Sequence, residues 1–379
     1  MMWRVVLKSL PLLSKDWRAL SLEHRRLSLP DADETPRWEE CLSYFPAKLE
    51  LALNSFYLRH YKGKENKAMV TEIAEYIRGE VLNILESSAW LDERTKKNAI
   101  DKANAVTFKI AYPEELINET VISLLYPNVK LNKSHFSNRL KILKWLQDHF
   151  YVTYQDPTYN KRWHTSGRKS LRVTGIYYPE NNVIDMSAGM IQDPYFNKDR
   201  PMYLNFGAVG LVIGHEFFHG FAGQGRKYDT NGNKVNWWSN ETDSIYEKKA
   251  LCIIQQYSNY TVGNGMKVNG LNTQPDNIAD NAGLKAAYLA YQSWVRIHKT
   301  EKMLPGLKYT PNQLFFISAA QIYCEKNLPE HLMYFLQYDD HSPGQFRVNG
   351  AMSNLPEFAK EFRCSSDSAM NRQNKCRIW

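Results

Sequence analysis

Helical periodicity dominates the first part of the chain. The apolar residues that recur at the spacing of one helix face are Val70, Ile73, Ala74, Ile77, Val81, Ile84 and Leu85. Asp92 is a typical N-cap residue, and the helix that it opens should end at Tyr112-Pro113. Apolar positions predict one more helix over residues 136–152. Because this region groups no nucleophile, base or metal ligand, it is typical of a helical packing lobe.

The pattern changes near residue 170. Residues 159–170 are polar and typical of a loop, whereas residues 171–178 are short, β-branched and aromatic, which predicts a strand. A turn at 180–182 leads to a predicted partner strand at 183–186. The exposed edge of such a strand pair can bind an extended peptide through main-chain hydrogen bonds.

The second half of the chain predicts further helices. Residues 209–221 surround a few polar side chains with apolar ones, as in a buried helix. Trp237-Trp238-Ser239 should begin another helix after a turn at 229–233. Residues 283–295 are strongly helical and follow a polar loop.

His215 and His219 lie four residues apart in the first of these helices. On a helix this spacing puts both imidazoles on one face, and H-E-x-x-H is the pattern of a helical zinc site. Glu216 follows the first histidine and can reach a water at the metal without binding the metal itself. The structural alternative is a pair of core histidines.

Asp276 and Asp280 are also four residues apart, hence on one helix face. As helix residues they have a structural explanation, because acidic side chains near a helix N-terminus interact favourably with the helix dipole. If the histidine motif is a metal site, the two aspartates can also be functional residues of that site.

Composition narrows the function classes. With 379 residues the chain is long enough for two domains. The formal charge of +8 is dispersed, and no basic run exceeds a pair such as Arg25-Arg26, which argues against nucleic-acid binding. A basic surface still favours acidic peptides or polyanions. Nothing in the sequence indicates an oligomeric state.

Secretion receives mixed support. The five cysteines allow two disulfides with one left over, and the four N-x-S/T sequons at Asn118, Asn132, Asn240 and Asn259 suggest a glycoprotein. Lys8 and Pro11 interrupt the apolar residues of the N-terminus, so we expect no signal peptide in this chain. No stretch is apolar enough to predict a transmembrane segment or membrane anchor.

Several stretches together resemble the neprilysin and endothelin-converting-enzyme family of zinc metallopeptidases, from one end of the chain to the other. The stretches that carry the resemblance are residues 212–221, 276–281, 340–347 and 376–379, with weaker similarity at 182–189 and 90–103. The resemblance implies a mainly α fold with a small β-sheet. It implies a helical lobe over 1–165, part of a second lobe in the family, and a thermolysin-like C-terminal zinc peptidase domain over 166–379.

The resemblance also implies a role for individual residues. His215, His219 and Asp276 match the ligands of one zinc ion, Glu216 the catalytic base, and Asp280 the acid that orients the first histidine. His341 matches the residue that stabilises the oxyanion. The remaining matches are to substrate-binding positions, namely Arg347, Thr174, Gly175, Met190, Tyr195, Val212 and Tyr323.

The function implied is a zinc-dependent endopeptidase. Its substrates are short peptides, cut on the amino side of bulky apolar residues, and its location is extracellular or on the cell surface. Zinc held by three protein ligands activates water, and Glu216 accepts the proton.

Three positions depart from the family pattern. Asp276 replaces a glutamate, Thr174-Gly175 replaces Asn-Ala, and Ala222 replaces an aspartate. The shorter carboxylate retracts by about 1.5 Å, whereas zinc–ligand distances tolerate only about 0.2 Å. These changes support an alternative function, that of a catalytically impaired paralogue or fragment that retains the fold and binds peptides or partners.

The resemblance finally assigns the cysteines. Cys252 matches a partner of Cys376, whereas Cys41, Cys324 and Cys364 match residues that pair with a more N-terminal portion of the family. The sequence resembles the family only from inside the ectodomain onward, so we expect a fragment or a truncated paralogue.

Overall fold

The structure is a computed structural model that describes residues 2–29, 31–61, 63–127, 129–156, 163, 170–263 and 265–379. Within them the chain is mainly helical with one small sheet, which confirms the predicted fold class. In chain order the helices are α1 (Met2–Ser9), α2 (Lys15–Arg26), α3 (Arg37–Lys48), α4 (Glu50–His60), α5 (Lys64–Glu86), α6 (Glu93–Ala105), α7 (Glu119–Leu125), α8 (His135–Tyr154), α9 (Met202–Asn205), α10 (Leu211–His219), α11 (Asn240–Ser258), α12 (Gln274–His298), α13 (Pro311–Gln321), α14 (Pro329–Tyr338), α15 (Gly344–Asn354) and α16 (Pro356–Glu361). The strands are β1 (Thr107–Ala111), β2 (Gly175–Tyr178) and β3 (Val183–Ser187).

The chain forms two compact units. The first consists of Met1–Tyr61 and Pro113–Arg168, and the second of Lys62–Tyr112 and Lys169–Trp379. A single domain boundary at residue 165 therefore stays a prediction, and residues before it contribute to the second unit.

The first unit is helical and has a small buried core. The apolar side chains buried in it include Leu49, Leu51, Leu58, Leu116, Ile122 and Ile142. Its α8 begins at His135, one residue before the predicted start, because the Ser134 side chain caps it by accepting from the Ser137 N–H. Of the loop predicted over 159–170, only Trp163 and Ser170 lie within the described residues.

The second unit contains the sheet, in the order β1-β3-β2. β2 and β3 are antiparallel, with Tyr177 opposite Ile184. The strand predicted to start at residue 171 starts only at Gly175, because the Thr174 N–H donates to the Ser187 hydroxyl instead of to a strand carbonyl. β1 was not predicted; it pairs in parallel with β3. β2 is therefore an edge strand of this sheet.

Local signals at two helix starts are confirmed. Asp92 caps α6 by accepting from the Thr95 N–H, at 3.0 Å. Ser239 caps α11, which begins at Asn240, directly after the predicted Trp237-Trp238-Ser239. The Asp92 carboxylate also accepts from the hydroxyls of Ser239 and Thr242, each at 2.6 Å, so one side chain joins the N-termini of both helices.

The helix predicted over 283–295 begins nine residues earlier, at Gln274, and packs backbone to backbone against α10. Gly214 of α10 and Gly283 of α12 face each other at this crossing. A Cβ atom on Gly283 would lie 2.4 Å from the His215 nitrogen, and one on Gly214 would lie 2.7 Å from the Gly283 oxygen. Because both distances are below van der Waals contact, only glycine allows the two helices to approach this closely.

We expect Gly283→Ala to lower the free energy of unfolding by at least about 2 kcal/mol, because the added methyl group forces α10 and α12 apart. Denaturant unfolding measures the effect. Gly79→Ala is the matched control, since Gly79 lies inside α5 and a Cβ there meets nothing within 4 Å. That change should raise stability by about 0.5–1 kcal/mol. Equal effects at the two sites would contradict the tight crossing.

Candidate active site

The two histidines of the H-E-x-x-H motif converge on one point. α10 places His215 and His219 one turn apart, and their Nε2 atoms are 2.9 Å from each other. His215 is buried, whereas a quarter of the His219 side chain is exposed to solvent. One side of the pair therefore faces the protein interior and the other faces a solvent-accessible space.

Asp276 of α12 completes the cluster. Its Oδ1 atom is 3.5 Å from His215 Nε2 and 3.4 Å from His219 Nε2. Ligands bonded tetrahedrally to zinc at about 2.0–2.1 Å lie about 3.3–3.4 Å apart. The two Asp276 distances match this spacing, whereas the imidazole nitrogens, at 2.9 Å, lie closer together than they would around a zinc ion. The carboxylate of Asp276 reaches both imidazoles although it is one methylene shorter than the glutamate of the family pattern.

Glu216 offers a second carboxylate, and its donor atom lies within 4.8 Å of those of both histidines. Its Oε2 atom, however, accepts the main-chain N–H of Tyr177 in β2, at 2.8 Å. Asp276 stays the predicted third ligand: its Oδ1 lies 3.4–3.5 Å from both imidazoles, whereas Glu216 is held by the strand.

The buried charges of this cluster are strongly coupled. Burial alone would raise the pKa of Asp276, but the imidazoles of His215 and His219 hold that pKa well below its usual range. Burial disfavours the charged imidazole of His215, but Asp280 and Asp276 outweigh burial and raise the pKa of His215 to about 9. The three side chains thus form a preorganised site for positive charge, occupied by a proton or by a metal.

Asp280 supports the cluster from behind. It is buried, its Oδ1 is 2.8 Å from His215 Nδ1, and Arg347 donates to both of its oxygens, at 2.6 and 2.7 Å. Against the effect of burial, Arg347 and His215 hold the pKa of Asp280 well below its usual range. The Tyr323 hydroxyl also donates to Oδ1, at 3.3 Å. Asp280 therefore fixes the orientation of the His215 ring so that Nε2 points at the cluster.

His341 lies on the solvent side of the cluster. Its Nε2 is 3.3 Å from Asp276 Oδ1, and its Nδ1 is 2.7 Å from Asp339 Oδ1. Its side chain is 46% exposed, which leaves it accessible to a ligand. The sequence analysis did not identify Asp339, which stands two residues before His341 and directly before the stretch 340–347 that carries the family resemblance.

A cavity of about 160 Å³ opens beside the cluster. The structure brings all the predicted substrate-binding residues to its walls: Thr174, Gly175, Met190, Tyr195, Val212, Tyr323 and Arg347. His215, Glu216 and His341 line it too, as do Val173 and Ile322, which the sequence did not indicate. Their roles stay predictions. Another cavity, of about 140 Å³ near Cys376, is lined by neither His215 nor His219.

The departures from the family pattern lie in defined places. The Thr174 hydroxyl donates to the Gly175 carbonyl at 3.2 Å. Ala222 is buried just after the end of α10. A Cβ atom on Gly175 would lie 3.2 Å from Cγ of Glu216, so the glycine also allows Glu216 to lie close to the strand.

The cysteine assignments are resolved in part. Cys252 and Cys376 form the expected disulfide. Cys324 and Cys364 are free, whereas the side chain of Cys41 lies outside the described part of the structure. Among the described residues, no helix combines the length and the apolar character needed to cross a membrane.

Comparison with known protein families shows to which family this chain belongs. Two models described as "Peptidase family M13" match residues 1–113 and 175–378. The chain belongs to peptidase family M13. Within this family it is similar to Neprilysin-2 of Drosophila melanogaster, with 36% identity over 392 residues that cover 100% of this chain and 50% of the relative. It is 33% identical to human neprilysin over 383 residues, covering 100% of this chain and 51% of the relative.

Solved structures of M13 peptidases show the same architecture. The zinc metalloprotease Zmp1 of Mycobacterium tuberculosis in its open state has a TM-score of 0.84 at 26% identity, covering 100% of this chain and 58% of Zmp1. PepO of Lactobacillus rhamnosis has a TM-score of 0.76 at 26% identity, covering 97% and 55%. The chain thus spans about half the length of its relatives.

The geometry predicts that Asp276 already reaches the metal. We therefore expect Asp276→Glu to change zinc affinity by less than about threefold, whereas Asp276→Asn should lower it by about a hundredfold, because it removes the charged ligand. Competition with a chromophoric chelator measures both values. A gain of tenfold or more in Asp276→Glu would show instead that the shorter carboxylate limits binding.

Proposed function

We propose that this chain is the zinc-holding part of an endopeptidase that hydrolyses short peptides on the amino side of bulky apolar residues. One observation carries this proposal. A carboxylate that is not needed as a ligand, Glu216, lies between a three-donor cluster and the edge strand β2, on the wall of the same cavity. This arrangement brings a metal site, a base and a peptide-binding strand edge together.

His215, His219 and Asp276 would hold one zinc ion. When bound, zinc lowers the pKa of a water towards about 7 and polarises the peptide carbonyl. Glu216 supplies the proton transfers. Its Oε2 is fixed by the Tyr177 N–H, which leaves Oε1 to accept the proton of the attacking water and to pass it to the leaving amine.

The strand edge and the side chains of His341 and Arg347 position the peptide. Ser187 N–H donates to the Thr174 carbonyl, so the next residue, Gly175, presents its main chain to the free edge, where an extended peptide can bind. His341 would donate from Nε2 to the developing oxyanion, while its Nδ1 contact with Asp339 fixes the orientation of the ring. Arg347 lines the cavity and would bind the peptide main chain, while Asp280 keeps it in place.

The cavity accounts for the proposed specificity. Met190, Val212 and Tyr195 supply apolar walls against which a bulky apolar side chain can pack. The disulfide between Cys252 and Cys376 supports an extracellular or cell-surface location, because disulfides persist in oxidising compartments.

A second candidate function has its own support. The Thr174 hydroxyl occupies the Gly175 carbonyl, an acceptor that an extended peptide would use. Together with Ala222, this contact favours a catalytically impaired paralogue that retains the fold and binds peptides or partners without efficient cleavage.

Replacement of the base separates the two functions. We expect Glu216→Gln to keep zinc and to lower kcat/KM on a quenched peptide by about 10²–10⁴-fold, because Gln cannot accept the proton. A chelator should abolish the remaining activity of the unaltered protein.

Glu180→Gln is the matched control, since Glu180 is exposed in the turn after β2, and it should cleave like the unaltered protein. If the unaltered protein binds zinc and peptide yet cleaves no faster than Glu216→Gln, the impaired paralogue is the correct function. A protein that binds no zinc contradicts the peptidase function.

A further inference from the structure

Lys102 is a buried cation that the proposed chemistry does not use. It lies on α6, its side chain is 1% exposed, and its Nζ donates to three main-chain carbonyls. The acceptors are Gly220 at 2.7 Å, Gly225 at 2.8 Å and Tyr228 at 2.7 Å. All three belong to the segment that follows the zinc helix α10.

The surroundings fit the charged form of this side chain. An ammonium has three N–H groups, and each carbonyl accepts one of them. The rings of Tyr177, Phe221 and Trp237 enclose Nζ, with centroids 5.6–5.8 Å away. Burial lowers the pKa of Lys102 to about 7, with the charge of Asp229 acting in the opposite direction. The carbonyl acceptors therefore stabilise an ammonium that burial disfavours.

The contact between the Lys102 ammonium and Gly220, here called the first arm, connects Lys102 to the cluster of His215, His219 and Asp276. Gly220 directly follows His219, so its carbonyl is one of those at the end of α10 that have no partner inside the helix. A cation at this end also interacts favourably with the helix dipole. Lys102 thus fixes the last turn of α10, which carries the second zinc-binding histidine.

A chain of hydrogen bonds from the Lys102 main chain to Glu216, here called the second arm, connects Lys102 to the proposed base. The main-chain carbonyl of Lys102 accepts from Asn182 Nδ2 at 3.0 Å, and Asn182 Oδ1 accepts from the Tyr177 hydroxyl at 2.9 Å. The Tyr177 N–H in turn donates to Glu216. Asn182 is buried and has a φ of 50°, a conformation that asparagine tolerates better than most residues. The strand that holds Glu216 is therefore anchored to Lys102 as well.

We propose that Lys102 is a positioning residue for the site: its ammonium sets the end of the zinc helix, and its main chain, through Asn182 and Tyr177, sets the strand contact of the base. This inference rests on the proposed zinc peptidase function. It assigns a role at the site to α6, a helix for which the sequence predicted only a role in packing.

Lys102→Met tests the first arm, since it keeps the length of the side chain and removes the donors. In folded protein we expect the Kd for zinc to rise about 10- to 100-fold, the range for residues that orient ligands. The visible spectrum of the Co²⁺-loaded protein should shift, which a purely structural role would not cause. Lys97→Met, an exposed lysine on the same helix, should change neither. Lys102→Arg, which keeps donors and charge, should recover part of the affinity.

Tyr177→Phe tests the second arm, which starts at the Lys102 main chain, and keeps that part of the proposal testable if Lys102→Met does not fold. It removes only the hydrogen bond to Asn182, so kcat should fall about 3- to 10-fold while KM and the Kd for zinc stay within about twofold.

The proposal is overturned if folded Lys102→Met binds zinc like Lys97→Met, or if Tyr177→Phe retains full kcat. An unaltered protein that binds zinc but cleaves nothing would refute the peptidase function alone, because zinc affinity and the Co²⁺ spectrum still report on Lys102.

Discussion

The contact between Gly214 and Gly283 is the constraint on which the site depends. Because neither residue has a side chain, the backbones of α10 and α12 touch, and each helix carries its functional groups one turn apart near this point. The histidine pair of one helix therefore meets the aspartate pair of the other, with Asp276 at the metal position and Asp280 behind His215. A wider crossing would remove both contacts at once, since the side chains involved are short.

Around this crossing the protein balances buried charge. An unpaired buried ion costs several kcal/mol, and each ion here has a partner. Arg347 neutralises Asp280, and the two imidazoles surround Asp276. In the absence of metal the raised pKa of His215 places a proton in the cluster, and zinc would take over the position of that positive charge. Lys102 provides a further buried cation at the C-terminal end of α10, stabilised by carbonyl dipoles rather than by a carboxylate.

Local sequence signals predicted the parts of this structure that depend on neighbours along the chain. The i, i+4 spacing of His215 and His219 and the N-cap at Asp92 are of this kind. The meeting of Asp276 with the histidines followed only from the family resemblance. Partners far apart in sequence gave no signal: β1 is defined by its parallel pairing with β3, and the carbonyls around Lys102 lie 118 to 126 residues away. Every residue except proline has a main-chain N–H. The residue type therefore could not predict that the Tyr177 N–H donates to Glu216.

The central claim is that two imidazoles and one aspartate of a half-length M13 chain form a zinc site. X-ray absorption at the zinc K-edge, on protein loaded with one equivalent of zinc, tests it most directly. We expect one tightly held zinc with two imidazole nitrogens and oxygen ligands at about 2.0–2.2 Å. Protein that retains no zinc would contradict the account, as would sulfur at about 2.3 Å, which would assign the metal to the free thiols of Cys324 or Cys364.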